Sequence, residues 1–357
     1  MKSISISITE NAENPNKDYI IDDDLFKYIV GITAMEYQYI NFVWICNSDY
    51  NRIQFLKRAR LYQKRVSRTK PVTIHNTVRI VNRFPDKSLK KFCIKNKIEL
   101  EAEFDNAVAL LNVLTNVKAS YKIDVITVLD TYKADLIKIY DLVKEHCFSL
   151  KFKQNFIYSR QFNQSESEEY LVKLKQLFDY WIKDKNGVFI KPFADHIRSA
   201  YQIAAGKECI NSSCLGKTLN IDSNGRIYLC SQSKNDKYNF GNFKNFSLVS
   251  EIFQSEIFTK LVEDMIEMRK KCIANCRCFK FCQGGCCTCV NTYGMCKTYC
   301  EIIKSLDKYI SDTMHDIVAN NKTLNDFNPV LLKIVKEIIS YNPASLAIKD
   351  EIYSNRE

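Results

Sequence analysis

Twelve of the chain's fifteen cysteines fall in the 92 residues from Cys209 to Cys300, and any fold must account for them. Four residues separate Cys209 from Cys214; ten residues, Gly225 and four more lead from Cys214 to Cys230. The run resumes at Cys272, Cys276, Cys278, Cys282, Cys286, Cys287 and Cys289 and closes with Cys296 and Cys300. Thiolates at short, uneven intervals suit a metal or iron–sulfur centre, where several sulfurs converge on one point.

The N-terminal sequence MKSISISITENAENPNKDYIIDDD has no apolar signal core, and no run of about 18 apolar residues follows. A cytoplasmic protein without a membrane span is the expectation. In a reducing compartment so many cysteines read as ligands rather than disulfides. At 357 residues the chain can hold more than one domain. The net charge of +11 has its sharpest source at residues 51–70, where Arg52, Lys57, Arg58, Arg60, Lys64, Arg65, Arg68 and Lys70 occur without an acid. Such a stretch is either a solvated helix face or a dock for an acidic partner. No zinc-finger histidine pair or RNA-binding aromatic motif accompanies it, which argues against nucleic acid.

Along the chain, Asn41–Cys46 and Thr77–Val81 read as short strands, and 101–116 as an amphipathic helix carrying Phe104, Val108, Leu111 and Leu114. Strand 121–129, helix 134–147, strand 148–152, a helix opened by a Ser165/Glu168 capping box and strand 188–190 follow. This alternation predicts parallel βα units, too few for a closed eight-unit barrel. No glycine occurs between Gly31 and Gly187, so the region lacks a phosphate-cradling loop and is no Rossmann dehydrogenase, kinase or ATPase.

Asp222-Ser223-Asn224-Gly225 is turn chemistry between two short strands, a hairpin that returns Cys230 towards Cys214 and Cys209. Ser247 is placed to cap a helix running through Ile252, Phe253, Leu261 and Met265. By ligand type alone, four-cysteine zinc and iron–sulfur sites look alike. The histidines, His75, His146, His196 and His315, have no cysteine or carboxylate at a recognisable spacing and read as structural.

The cysteine order, together with Tyr238-Asn-Phe-Gly-Asn-Phe243 and Cys282-Gln-Gly-Gly-Cys286, resembles the SPASM domain, the twin-cluster extension of radical S-adenosylmethionine peptide maturases. The resemblance implies two 4Fe-4S clusters. One would take Cys209, Cys214, Cys230 and Cys286. The other would take Cys272, Cys276, Cys282 and Cys300, with Cys296 as alternative to Cys300 and Cys278 as alternative to Cys276. The family pattern has two residues between the first pair of the second group, where this chain has three.

The region before residue 209 resembles a radical S-adenosylmethionine barrel, which carries three spaced cysteines after its first strand. Cys46 would stand at the first ligand position, but Tyr50 and Ile53 occupy the other two, and neither can ligate iron as a thiolate does. The chain is then similar to the SPASM-domain component of grasp-with-spasm systems. That likeness implies a precursor peptide and an ATP-grasp ligase as partners and no S-adenosylmethionine. A structural zinc-binding interaction protein and an atypical radical enzyme are the alternatives. The expected fold is α/β: a partial or degenerate radical-S-adenosylmethionine-type (βα) barrel, then a cysteine-rich SPASM domain with a β-hairpin and helices. The expected divisions are 1–75 with the basic stretch, 76–205 for the barrel, 206–310 for the twin-cluster domain and 311–357 for a helical tail.

Overall fold

The computed structural model describes residues 2–10, 20–46, 52–116, 121, 123–129, 134–154, 163–200, 215–229, 239–276, 278–282, 297–319 and 327–341. In chain order the elements are β1 (Ser3–Thr9), α1 (Asp23–Glu36), β2 (Tyr39–Cys46), α2 (Arg52–Thr69), β3 (Thr73–Val81), α3 (Lys87–Asn96), β4 (Glu99–Phe104) and α4 (Ala107–Thr115). Then come β5 (Asp124–Leu129), α5 (Leu136–His146), β6 (Ser149–Gln154), α6 (Gln164–Lys183), β7 (Phe189–Lys191) and α7 (Phe193–Ala200). The C-terminal part adds β8 (Thr218–Asp222), β9 (Arg226–Tyr228), β10 (Asn239–Asn242), α8 (Val249–Phe253), α9 (Glu256–Asn275), α10 (Phe279–Cys282), α11 (Lys297–Ala319) and α12 (Pro329–Tyr341).

Compactness groups the chain otherwise than its linear order. One unit joins Met1–Asp105 to Asn211–Lys270 and Cys286–Thr292; the other joins Asn106–Ile210 to Lys271–Gly285 and Tyr293–Glu357. In the first unit the strand order is β10-β9-β8-β1-β2-β3-β4. β8 through β4 run parallel, while β9 pairs antiparallel with β8 and with β10. The alternation of Ile4, Ile6 and Ile8 with Ser5, Ser7 and Thr9 places the isoleucines of β1 on the helix side, nearly solvent-free. There they join Phe42 and Trp44 of β2 and Phe26, Ile29 and Val30 of α1 in one core. Asp22 starts α1 by accepting from the amides of Asp24 and Leu25, and two acids in the first turn favour that end of the helix dipole.

The expected hairpin is present. Asp222 accepts from the amides of Asn224 (2.9 Å) and Arg226 (3.0 Å) and from the Arg226 guanidinium (2.8 Å). Gly225 takes φ +85°, open to glycine without steric cost. What the sequence did not suggest is that β8 continues the parallel sheet beside β1, with Ile6 opposite Leu219 and Ile8 opposite Ile221.

The second unit holds the parallel strands β5-β6-β7. Phe178, Trp181 and Phe193 form its aromatic centre, with ring centroids 5.3–6.0 Å apart. Asn328 is buried here, its amide nitrogens donating to the carbonyls of Ile182 and Trp181 at 2.9 Å. Gly187 makes this possible: a Cβ there would stand 1.9 Å from the Asn328 side chain.

Several expectations require correction. β1 and α3 replace what the sequence left unassigned. Residues 99–104 form β4 and only Ala107–Thr115 are helical, because Asn106 caps α4 with its side chain on the Ala109 amide. The capping box of α6 is Asn163 with Glu166, not Ser165 with Glu168. Ser247 caps no helix through its side chain; its amide donates to Glu251, and two helices, α8 and α9, follow. Cys46 closes the second strand of the sheet, not the first, so it does not occupy the position expected of a first radical-cluster ligand.

Candidate metal centre

The described cysteines of the second ligand group all belong to the second unit. Cys272 lies in the last turn of α9, and Cys276 follows it, its amide donating to the Cys272 carbonyl at 3.0 Å. Cys282 ends α10, with its amide on the Cys278 carbonyl at 2.8 Å, and Cys300 lies in the first turn of α11. Cys272, Cys276 and Cys300 are half-buried and Cys282 is buried. Burial pushes the Cys300 thiol up to about 11, and the charges of Cys282, Cys272 and Cys276 push the same way, while Lys304 opposes them. The four sulfurs therefore share one electrostatic neighbourhood. A metal or cluster centre binds thiolates, so a bound cation would offset the cost of ionising Cys300 there. Among the described residues no three His, Cys, Asp or Glu side chains are grouped for a single metal ion.

Cys278 is engaged differently. It is 2% exposed, and its thiol donates to Asp307 Oδ2 at 3.4 Å. The other oxygen, Asp307 Oδ1, lies 3.2 Å from Nδ1 of the fully buried His196. One histidine thus has a carboxylate partner after all, 111 positions away, and no sequence spacing could have shown it. His75 stacks on Tyr39 with ring centroids 4.8 Å apart, His146 is buried 3.8 Å from Glu145, and His315 is exposed on α11. Cys209, Cys214, Cys230, Cys286 and Cys296 lie outside the described residues, as does Tyr50. The hairpin leading to Cys230 is held up to Leu229, whose carbonyl accepts from Asn220 Nδ2 at 2.9 Å.

At the end of β2, Cys46 is fully buried, and burial raises its thiol to about 12. Ile53 in the first turn of α2 packs against the hydrophobic core. The chain has no cysteine before Cys46, so residues 10–22 after β1 hold none.

Sequence reasoning missed a second set of residues. The sheet face of the first unit opposite its helix-covered core is polar. By register, Ser7 of β1 is level with Asn220 of β8, and Val43 of β2 with Thr77 of β3 and Glu99 of β4. Arg79 bridges Glu101 Oε2 (2.8 Å) and Glu103 Oε2 (3.1 Å), all three side chains largely buried. Parallel sheets usually bury apolar residues on both faces, so a half-polar one can line a ligand space. The available signal was the polar half of each strand's alternation.

Residues 209–287 match the family model described as SPASM, an iron–sulfur cluster-binding domain. The chain carries a SPASM domain. Its matched span includes seven of the eight cysteines assigned to clusters and stops short of Cys300. The SPASM-bearing chain is 24% identical over 308 residues to a cysteine-type anaerobic sulfatase-maturating enzyme of Clostridium perfringens (strain 13 / Type A), covering 76% of this chain and 80% of that protein. Among solved structures, native anSMEcpe with bound AdoMet aligns with TM-score 0.68 and 18% identity, over 89% of this chain and all of that one. Native anSMEcpe with bound AdoMet and Cp18Cys peptide aligns with TM-score 0.67 and 19% identity, over 90% of this chain and 100% of that one. The α/β fold with a parallel sheet is the one these structures share. None of the chain's described helices is long and apolar enough to cross a membrane.

Proposed function

We propose that this chain is an iron–sulfur protein of peptide maturation, with two 4Fe-4S clusters and no radical S-adenosylmethionine chemistry of its own. One cluster is held by Cys209, Cys214, Cys230 and Cys286, the other by Cys272, Cys276, Cys282 and Cys300. The observation that carries the second set is the placement of Cys272, Cys276, Cys282 and Cys300 in one compact unit, at the ends of α9 and α10 and in the first turn of α11. The Cys278 thiol, committed to Asp307, supports Cys276 over Cys278 as ligand. Bound clusters supply cross-links between distant segments and a site for electron transfer. The chain's own part is to converge the thiolates and to keep Cys278 out of the set.

The absence of radical chemistry rests on the region around β1 and β2. Two structures of one similar protein, anSMEcpe, hold AdoMet, but this chain offers no cysteine between β1 and α1, buries Cys46 and packs Ile53 against its core. Without three thiolates there, a site-differentiated cluster has no anchor. An ATP-grasp ligase as partner agrees with the lack of glycine from residue 32 to 186, since the nucleotide would then be bound by the other protein.

Anaerobic purification tests the reading. The expected product is brown, with about eight iron and eight sulfide per chain, and does not cleave S-adenosylmethionine under reducing conditions. A colourless protein containing zinc ends the cluster assignment, and reductive cleavage of S-adenosylmethionine ends the non-radical one.

A further inference from the structure

The chain's positive charge is not spread over its surface. α2 carries seven Lys and Arg and no acid, and α3 carries four and no acid. Together they equal the whole net charge of +11, so the rest of the chain is formally balanced. Beside them is a cavity of about 260 Å³ lined by Arg60, Gln63, Lys64, Ser67 and Arg68 of α2 and by Ile74 and Asn76 of β3. Its floor is fixed. Gln63 is 4% exposed and exchanges two hydrogen bonds with Asn76 (2.9 and 3.0 Å), and Asn76 also accepts from Trp44 Nε1 at 2.9 Å. Arg60 donates to the carbonyl of Asn96 at the end of α3, which anchors one wall. Lys64 and Arg68 are exposed, and among the described residues neither has a carboxylate partner.

We infer that this groove docks an acidic, extended segment of a partner polypeptide, away from any reaction site. Arg60, Lys64 and Arg68 recur every four residues, a step of about 6 Å along a helix. Alternate side chains of an extended strand recur about every 6.6 Å, so carboxylates at every second position fall in step with the three cations. Ile74 and Asn76 lie near the amino end of β3, whereas α/β sheets bind the molecules they transform beyond the carboxyl ends of their strands. The groove is therefore a recognition site that holds the partner without reaching its reacting atoms. A protein partner fits better than nucleic acid because no aromatic side chain lines the cavity for a base to stack on. The nearby Tyr62 ring is occupied against Phe26, with centroids 6.2 Å apart. The inference rests on the chain handling peptides, as proposed above, and specifies the charge of the segment recognised.

Fluorescence anisotropy on the full, cluster-loaded chain tests it. The probes are a short labelled peptide of alternating Glu and Ser, its Lys and Ser counterpart, and a single-stranded oligonucleotide of equal charge to the first. The acidic peptide should bind and weaken with added salt, and the Lys peptide should not bind. Lys64→Glu with Arg68→Glu should weaken binding by about tenfold or more, Lys64→Gln with Arg68→Gln by less, and Lys183→Glu with Lys260→Glu not at all. Binding indifferent to the groove variants overturns the proposal. So does an oligonucleotide that binds as tightly and responds to the same variants. A zinc-loaded, colourless chain that still binds the peptide at the groove refutes the iron–sulfur reading and leaves the dock standing; a brown, cluster-loaded chain that does not bind refutes the dock alone.

Discussion

Five cysteines crowd the stretch from Cys272 to Cys300 within the described residues, and their surroundings sort them into two kinds. The thiol of Cys300 is raised by burial and by the neighbouring Cys282, Cys272 and Cys276, whereas Cys278 donates a hydrogen bond to Asp307. Replacing Cys282 or Cys300 with alanine should halve the iron and sulfide recovered, while Cys278→Ala should leave both unchanged; metal analysis of anaerobically purified variants checks this. Arg79 presents a different residue-scale case, since it bridges the largely buried carboxylates of Glu101 and Glu103. Arg79→Ala should cost about 2 kcal/mol in chemical denaturation, because two like charges lose their shared donor. Arg79→Lys should recover only part, a single ammonium being unable to span both oxygens as a guanidinium fork does.

The elements show where local chemistry decides and where tertiary context does. Asn163 and Glu166 satisfy each other's end of α6, so Asn163→Ala should lower stability by about 1 kcal/mol, read as a drop in Tm. Asp184 at the other end of α6 works through charge. Burial pushes its carboxyl up, but hydrogen bonds from Lys144, the Asn186 amide and Tyr140 outweigh burial and hold it below the usual 3.8. A carboxyl lowered by folding stabilises above its unfolded pKa and loses that contribution as pH falls through the lowered value. The Tm gap between the wild type and Asp184→Asn should therefore be full at neutral pH and close as the pH drops below about 4. The sequence made β2, β3, β5, β6 and β7 readable, because each is a short apolar or alternating run between polar turns. It hid β4, because Phe104 also falls in helical step with Val108, Leu111 and Leu114, while Asn106 supplies the cap that starts the helix later. β1 was legible by its strict alternation and was obscured only by the polar average of the first residues. The cysteine spacing announced the candidate centre. The Asp307–His196 pair and the polar sheet face were not announced, because both depend on contacts between segments far apart in the chain.

For the molecule as a whole, the bound clusters should act as structural ties. If Cys230 helps hold one with Cys214 and Cys286, Cys230→Ala should lower cluster content and soluble yield together, while Cys287→Ala and Cys289→Ala should alter neither. Loss of the cluster with full retention of solubility would point to an electron-transfer role instead. Analysing iron in the soluble and insoluble fractions of each variant separates the two outcomes.

The pairing of β1 with β8 ties completion of the sheet to the order of synthesis. Ser5 donates its amide to the carbonyl of Lys217, so one side of β1 waits for a strand made much later. During translation β1 can dock on β2 early, yet it remains an open edge with its isoleucine row in place until Asp222 has left the ribosome. An exposed, alternating edge of this kind invites pairing with other chains. Any fragment that ends before β8 should therefore aggregate, even though every helix and strand preceding it is intact.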